Sequence, residues 1–223
     1  MNLSLFEFSV VLLADSNNPS ILNPDFLRYT GIVKNPWQIL DVPDAVISIP
    51  GFSQVKYNDG LTIRAEPNRV VFEQTGDPLE LGNISCIEMA RHYLDAVPHV
   101  KYGAIGINPK GYKTLHSAER ESVSNALKNS GDWMEFKNVN PEIQLKAIYD
   151  LNDKRIVLDV SQARKRVATG SDVHAIIFQA NIHRDITESE QPNRIDKLVS
   201  VLNEWETDLS DFQELVNIFM RIK

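Results

Sequence analysis

The chain has 223 residues, 43% of them hydrophobic and 24% charged, which excludes a disordered, collagen-like or disulfide-rich protein. Its 23 basic and 30 acidic side chains leave a net charge of −7, so nucleic acid is a disfavoured partner, because a protein that tracks a phosphate backbone is basic on at least one face. The single cysteine, Cys86, excludes an internal disulfide and fits a reducing, cytoplasmic setting, and no apolar run approaches the ~18–20 residues of a membrane-spanning helix.

Leu3 to Leu13 is apolar on both alternating parities, with Leu5, Val11 and Leu13 on one and Phe6, Phe8, Val10 and Leu12 on the other. That pattern predicts a buried, central strand. Glu7 and the lack of a preceding basic residue argue against a secretory signal. Turn formers at Asp15 to Pro19 end the strand. Asn23-Pro24 predicts a helix start, with Asn as cap and Pro in the first turn, and Thr30-Gly31 stops it early. An irregular stretch follows from Lys34 to Asp44.

Three strands are expected next: 45–57, interrupted at Pro50-Gly51, then 61–66 and 69–74. The turns between them are Asn58-Asp59-Gly60 and Pro67-Asn68. A helix over 83–97 carries an apolar stripe of Cys86, Ile87, Ala90, Tyr93, Leu94 and Val97. A strand over 100–107 then meets an expected turn at Asn108-Pro109-Lys110-Gly111. A helix from Ser117 to about Lys128 precedes an irregular stretch with Trp133 and Phe136. Three more strands are expected at 142–149, 155–163 and 172–183, with turns at Asn152-Asp153 and Thr169-Gly170-Ser171.

The chain ends in a long helix with Ile195, Leu198, Leu202, Trp205, Leu209, Phe212, Val216 and Phe219 in one stripe. Thr187 and Glu190 could form a capping box, and the run Thr207 to Asp211 could break the helix in two.

The order strand, helix, three strands, helix thus occurs twice. The fold class is α+β: a largely antiparallel sheet, or two, with helices on one face and a long C-terminal helix. The halves divide as 1–98 and 99–223, within one compact unit, giving either one wide sheet or two packed lobes. This order resembles the saddle of the TATA-binding protein, in which a strand, helices, a meander and a long helix occur twice. The resemblance is architectural and implies no function. One sheet wrapped around one long helix is the alternative. The segment Arg91 to Val100, running into Gly103-Ala104-Ile105-Gly106-Ile107-Asn108, also resembles uncharacterised bacterial proteins of similar length, and no catalytic residue carries over from them.

Few constellations carry chemistry. Glu88, His92 and Asp95 share one helix face at steps of four and three, as metal ligands can, and His99 follows past Pro98. The competing reading is a plain solvated face. Gly106, Gly111, Lys113 and Thr114 approximate a phosphate loop, but Tyr112 interrupts Gly-Lys and Pro109 removes an amide donor. Gln144-Leu145-Lys146 after Asp132 or Glu142 is a degenerate approach to a two-metal nuclease pattern. No nucleophile elbow exists, Cys86 reads as core, and no motif calls for a cofactor.

Two surfaces could bind partners. The C-terminal stripe is widened by Leu215, Met220 and Ile222, so Trp205, Phe212, Phe219 and Met220 could dock on a second copy or another protein, or simply pack on the chain's own sheet. Residues 101–187 hold 13 basic and 10 acidic side chains against a net acidic remainder. Within them, Arg164, Lys165 and Arg166 form a basic hairpin tip that could meet an acidic partner or serve as a solvated edge. The expected function is therefore a non-enzymatic binding or assembly subunit working through protein contacts. The alternatives are a metal-dependent hydrolase or nuclease, and a small-ligand carrier with its pocket near Trp133, Tyr149 and Trp205.

Overall fold

In the computed structural model, residues 3–34, 37–116, 119–120, 122–123, 143–166, 170–188 and 190–221 are described. The expected helix from Ser117 to Lys128, Trp133 and Phe136, the strand start at Glu142 and Ile222 lie outside them, wholly or in greater part. The described residues form nine strands and four helices. The strands are β1 (Ser4–Ala14), β2 (Val46–Ile49), β3 (Phe52–Lys56), β4 (Leu61–Glu66), β5 (Arg69–Thr75), β6 (Tyr102–Thr114), β7 (Gln144–Asp150), β8 (Arg155–Arg166) and β9 (Asp172–Asp185). The helices are α1 (Pro24–Tyr29), α2 (Cys86–Ala96), α3 (Gln191–Asn203) and α4 (Trp205–Met220).

All nine strands belong to one antiparallel sheet, in the order β2-β3-β4-β5-β1-β6-β9-β8-β7. One wide sheet thus replaces the alternative of two packed lobes. The apolar-on-both-parities β1 is central, as its pattern predicts, but its two faces differ: Phe8, Val10 and Leu12 lie buried under the helices, whereas Val11 and Leu13 are half-buried on the other face. The α2 stripe is buried in full, with Tyr93 between Phe26 and Phe72 at centroid distances of 6.5 and 5.5 Å. At α1, the Asn23 Oδ1 accepts from the Phe26 amide at 2.9 Å, with Pro24 next to it.

Three local readings are corrected. The stretch 45–57 is two strands rather than one, because Pro50-Gly51 closes a hairpin in which Val46 faces Val55. The expected turn at Asn108 to Gly111 is strand: β6 runs straight through it, with Pro109 opposite Phe8 of β1. Proline is normally excluded from a central strand because it cannot donate to the ladder. Here the pairing of β6 with β9 lapses between Ile107 and Lys110, and the Asn181 side chain donates to Asn108 Oδ1 at 2.6 Å across the gap. Non-local pairing on both sides outweighs the local turn signal. The C-terminal helix breaks at Glu204, earlier than Thr207, and the cap of α3 is Glu190 without a side-chain bond, so the Thr187 capping box does not form.

Glycine is required at two close approaches. At Gly60 (φ +73°) a Cβ would lie 2.1 Å from the Thr75 carbonyl oxygen. At Gly111 it would lie 3.0 Å from the Leu3 side chain and the Ser4 oxygen. Gly111 therefore lets the start of β1, which carries a bulge at Phe6, press against β6.

Helix α4 is fastened by ions as well as by Phe212 and Val216. Asp208, fully buried, accepts two bonds from the Arg184 guanidinium (2.7 and 2.8 Å) and one from Lys154 (2.9 Å). Lys154 also pairs with Asp211, and Arg184 lies 3.5 Å from Glu204. Burial pulls the Lys154 ammonium toward its neutral form, but the Asp211 and Asp208 carboxylates outweigh it and hold its pKa above the usual lysine value. Among the described residues no helix is long and apolar enough to cross a membrane.

Candidate functional site

The helices pack on one face of the sheet, so alternation sends the other set of strand residues to the opposite face. Its centre is polar. Ser9, Asn108 and Asn181 form a row across β1, β6 and β9, with Asn108 donating to Ser9 Oγ at 3.3 Å. Its charges are matched: Arg64 meets Glu73, Arg69 meets Glu66, and Lys110 meets Glu7. A hollow of about 600 Å³ lies over these groups.

One end of this face is different. The bulge in β1 brings the Phe6 ring 5.9 Å from the Tyr112 ring of β6. Lys110 lies 5.3 Å above Phe6, and Lys165 of β8 lies 3.9 Å above Tyr112. The Tyr112 hydroxyl donates to Asp77 Oδ1 at 2.8 Å, and Lys165 contacts both that hydroxyl and Asp77 Oδ2 (2.7 Å). The Lys165 ammonium holds the Asp77 carboxyl below the usual carboxylate range, and Asp77 in turn raises the Lys165 pKa. Beside this triad is a cavity of about 470 Å³ floored by Phe6, Tyr112, Ala163, Ala175 and Ile177, with Arg164 at its wall.

The basic hairpin tip is thus divided. Lys165 is spent on Asp77 and Tyr112, Arg166 pairs with Asp172 at 3.3 Å, and Arg164 has no ionic or hydrogen-bond partner among the described residues.

The C-terminal stripe lies on the chain's own sheet. Phe212 is fully buried, which removes it from any docking surface of the folded chain. Trp205 stands edge-on to Phe8 at 5.8 Å, Phe219 stands edge-on to Phe178 at 5.5 Å, and Met220 is half-buried against the same core. Trp205 and Tyr149 do not share a pocket, since Trp205 packs on β1 and Tyr149 lies on β7, four strands away. Trp133 lies outside the described residues.

Glu88, His92 and Asp95 do not gather into a metal centre. Glu88 is paired with Lys34, which holds its carboxyl below the usual range, and Asp95 is exposed. Among the described residues no three His, Cys, Asp or Glu side chains converge as a metal site would require. Glu88 instead lines a groove of about 680 Å³ between α2 and α4, together with Lys34, Arg91 and Trp205. The Cys86 thiol is wholly buried, and desolvation pushes its pKa up to about 12, the reverse of an activated nucleophile.

Sequence reasoning passes over two features. The first is the Phe6–Asp77–Tyr112 group, because its members come from separate segments and each has an ordinary local role: strand, turn, strand. The second is the β7 end of the sheet. Across the helix-side face, Phe178, Val160 and Leu145 form one row over β9, β8 and β7, and Ile182, Ile156 and Tyr149 form another. The β9 and β8 members are buried, but Leu145 and Tyr149 are each 39% exposed. Ile148 on the other face and Leu151 just beyond are each 50% exposed. Among the described residues, the helices that pack on the sheet leave this end of it exposed. No protein-family model matches the chain, and no curated protein sequence matches it.

Proposed function

We propose that the protein is a non-enzymatic binding or assembly subunit, and that its contact surface is the β7 edge, paired with a second copy of the same strand. The observation that carries this reading is the exposed apolar set Leu145, Ile148 and Tyr149 on the last strand of the sheet, with Leu151 just past its end. Long edge strands with apolar side chains template pairing, and natural proteins usually blunt them with proline, charge or short length. The opposite edge is blunted: β2 has four residues between Pro43 and Pro50. β7 has seven, no proline, and Lys146 and Asp150 held by Asp159 and Arg155 of β8. Antiparallel pairing about a twofold axis would bury the same side chains on both copies.

The proposed interface differs from the helix stripe, whose side chains are used within the chain. The proposal also reads residues 1–98 and 99–223 as two versions of one plan. Outward from the β1–β6 seam, the order β1-β5-β4-β3 on one side has its counterpart in β6-β9-β8-β7 on the other. That pattern agrees with the saddle architecture, while the matched charges on the open face give no surplus for a phosphate backbone.

The test is the solution mass of the full chain by light scattering across the micromolar range. The expected mass is twice the 25.3 kDa of one chain. Ile148→Lys, at a half-exposed position, should give the single-chain mass with an unchanged thermal midpoint. A wild-type mass of one chain at every concentration overturns pairing through β7, and so does a dimer that Ile148→Lys leaves intact.

A further inference from the structure

We infer that the hollow of about 600 Å³ at the centre of the open face is a binding site for an uncharged sugar. The site is built from β1, β3, β4, β5, β6 and β9, away from β7, and does not depend on the chain's assembly.

The placement comes from the register. Gln54, Arg64, Val71 and Val11 form one row across β3, β4, β5 and β1, each directly opposite the next. Glu73, Ser9 and Asn108 form the next row across β5, β1 and β6. Glu7, Lys110 and Gln179 form a third across β1, β6 and β9. The rows are two residues apart along each strand, so all these side chains share one face. The residues between them, Phe8, Val10 and Phe72, are the ones buried under the helices. The volume lies inside the range of small-molecule sites, roughly 300–1,000 Å³.

The chemistry comes from which polar groups remain unmet. Arg64 pairs with Glu73 at 2.5 Å, Arg69 with Glu66 at 2.8 Å and Lys110 with Glu7 at 3.4 Å, so every charge lining the hollow is answered. A charged ligand would have to displace half of an ion pair. Two lining side chains are recessed and only half satisfied: Ser9 and Gln54, each 7% exposed. The Ser9 hydroxyl accepts from Asn108 at 3.3 Å, and its own proton has no acceptor among the described residues. Gln54 donates to the Asp44 carbonyl at 3.0 Å, and its Oε1 has no donor among the described residues. The hollow thus offers an unmet donor and an unmet acceptor, with no unmet charge. An apolar ligand would cover both and leave them unpaired, which is costly. A hydroxyl donates and accepts at once, and a ring bearing several can answer both groups. The C–H face of such a ring matches Val11, Val71 and Phe52, the apolar part of the lining.

The experiment is calorimetric titration of the full chain with glucose, galactose and mannose, each beside its uronate and its 2-amino counterpart. At least one neutral sugar is expected to bind at a single saturable site, with its two charged counterparts weaker by about tenfold or more. Ser9→Ala, which keeps the size of the side chain nearly unchanged, should weaken that sugar severalfold, the share of one hydrogen bond. Val11→Trp should fill the hollow and remove binding, in a chain whose circular dichroism matches the wild type. Absence of saturable binding by all three neutral sugars overturns the inference. So does a uronate or amino sugar that binds as tightly as its neutral parent, or sugar binding that Ser9→Ala leaves unchanged.

Discussion

Helices α2 and α4 face the same task and meet it differently. Each must bury one side on an antiparallel sheet. Helix α2 does so with aromatic and aliphatic side chains alone, centred on Tyr93 between Phe26 and Phe72. Its polar group is the Tyr93 hydroxyl, which donates to Asn17 Oδ1 at 3.2 Å. Helix α4 combines the buried Phe212 and Val216 with a buried carboxylate, Asp208, that holds Arg184 of β9 and Lys154 from the turn between β7 and β8. Apolar packing is tolerant of small slides along a helix. A bidentate Arg184–Asp208 pair is not, since a shift of one residue would leave both charges buried and unmatched. The ionic seat therefore fixes the position of α4 along the sheet.

The largest effect expected from this difference is at Asp208. Asp208→Ala leaves Lys154 and Arg184 buried beside an apolar methyl and should destabilise the chain by about 3–5 kcal/mol. The urea unfolding midpoint measures it, provided the slope of the transition is unchanged. Replacing all three groups together, Asp208→Leu with Lys154→Met and Arg184→Met, should recover most of that loss, because well-packed apolar side chains often match a buried ion cluster. If the triple variant is as unstable as Asp208→Ala, the cluster contributes stability and not only placement.

The contrast also shows what could be read from the residues in order. The α2 stripe was legible because its seat is periodic and apolar, and periodicity is local information. The central place of β1 was legible for the same reason, through apolar residues on both parities. Asp208 was not, because a carboxylate two residues from a Ser or Thr in a helical run reads as a cap. Its true partners lie 24 and 54 residues away. Pro109 misled in the opposite direction: Asn-Pro-Lys-Gly is a turn by local chemistry and a strand by pairing. The candidate sites fall on the illegible side. The hollow joins Phe6, Asp77, Tyr112 and Lys165 through strand register, and the proposed β7 contact rests on side chains that the described helices leave exposed.

A smaller effect should appear in alkali. The Lys154 pKa is raised on folding, so its contribution to stability is intact below its ordinary value of 10.5 and is lost as the pH climbs through the folded value. Buried Tyr93 and Tyr102, whose pKa values burial also raises, lose stability in the same direction. The wild-type chain should therefore weaken above about pH 10, and Lys154→Met should weaken less steeply over the same window. Equal slopes would mean that Lys154 titrates alike in the folded and unfolded chain.

The smallest effect should be at the apolar seat. Tyr93→Phe keeps the ring between Phe26 and Phe72 and removes only the bond to Asn17. Asn17 is nearly buried and stays anchored by its own donation to the Glu66 carbonyl at 3.1 Å, so it cannot turn its Oδ1 toward another donor without breaking that bond. One acceptor is left unmet, which costs about 1 kcal/mol. That is several-fold less than the loss expected at Asp208, and the ratio is what separates the two seats. A Tyr93→Phe penalty as large as that of Asp208→Ala would mean that α2 is held by its one polar bond. In that case the aromatic packing around it would be filler, and the two helices would be fastened by the same means.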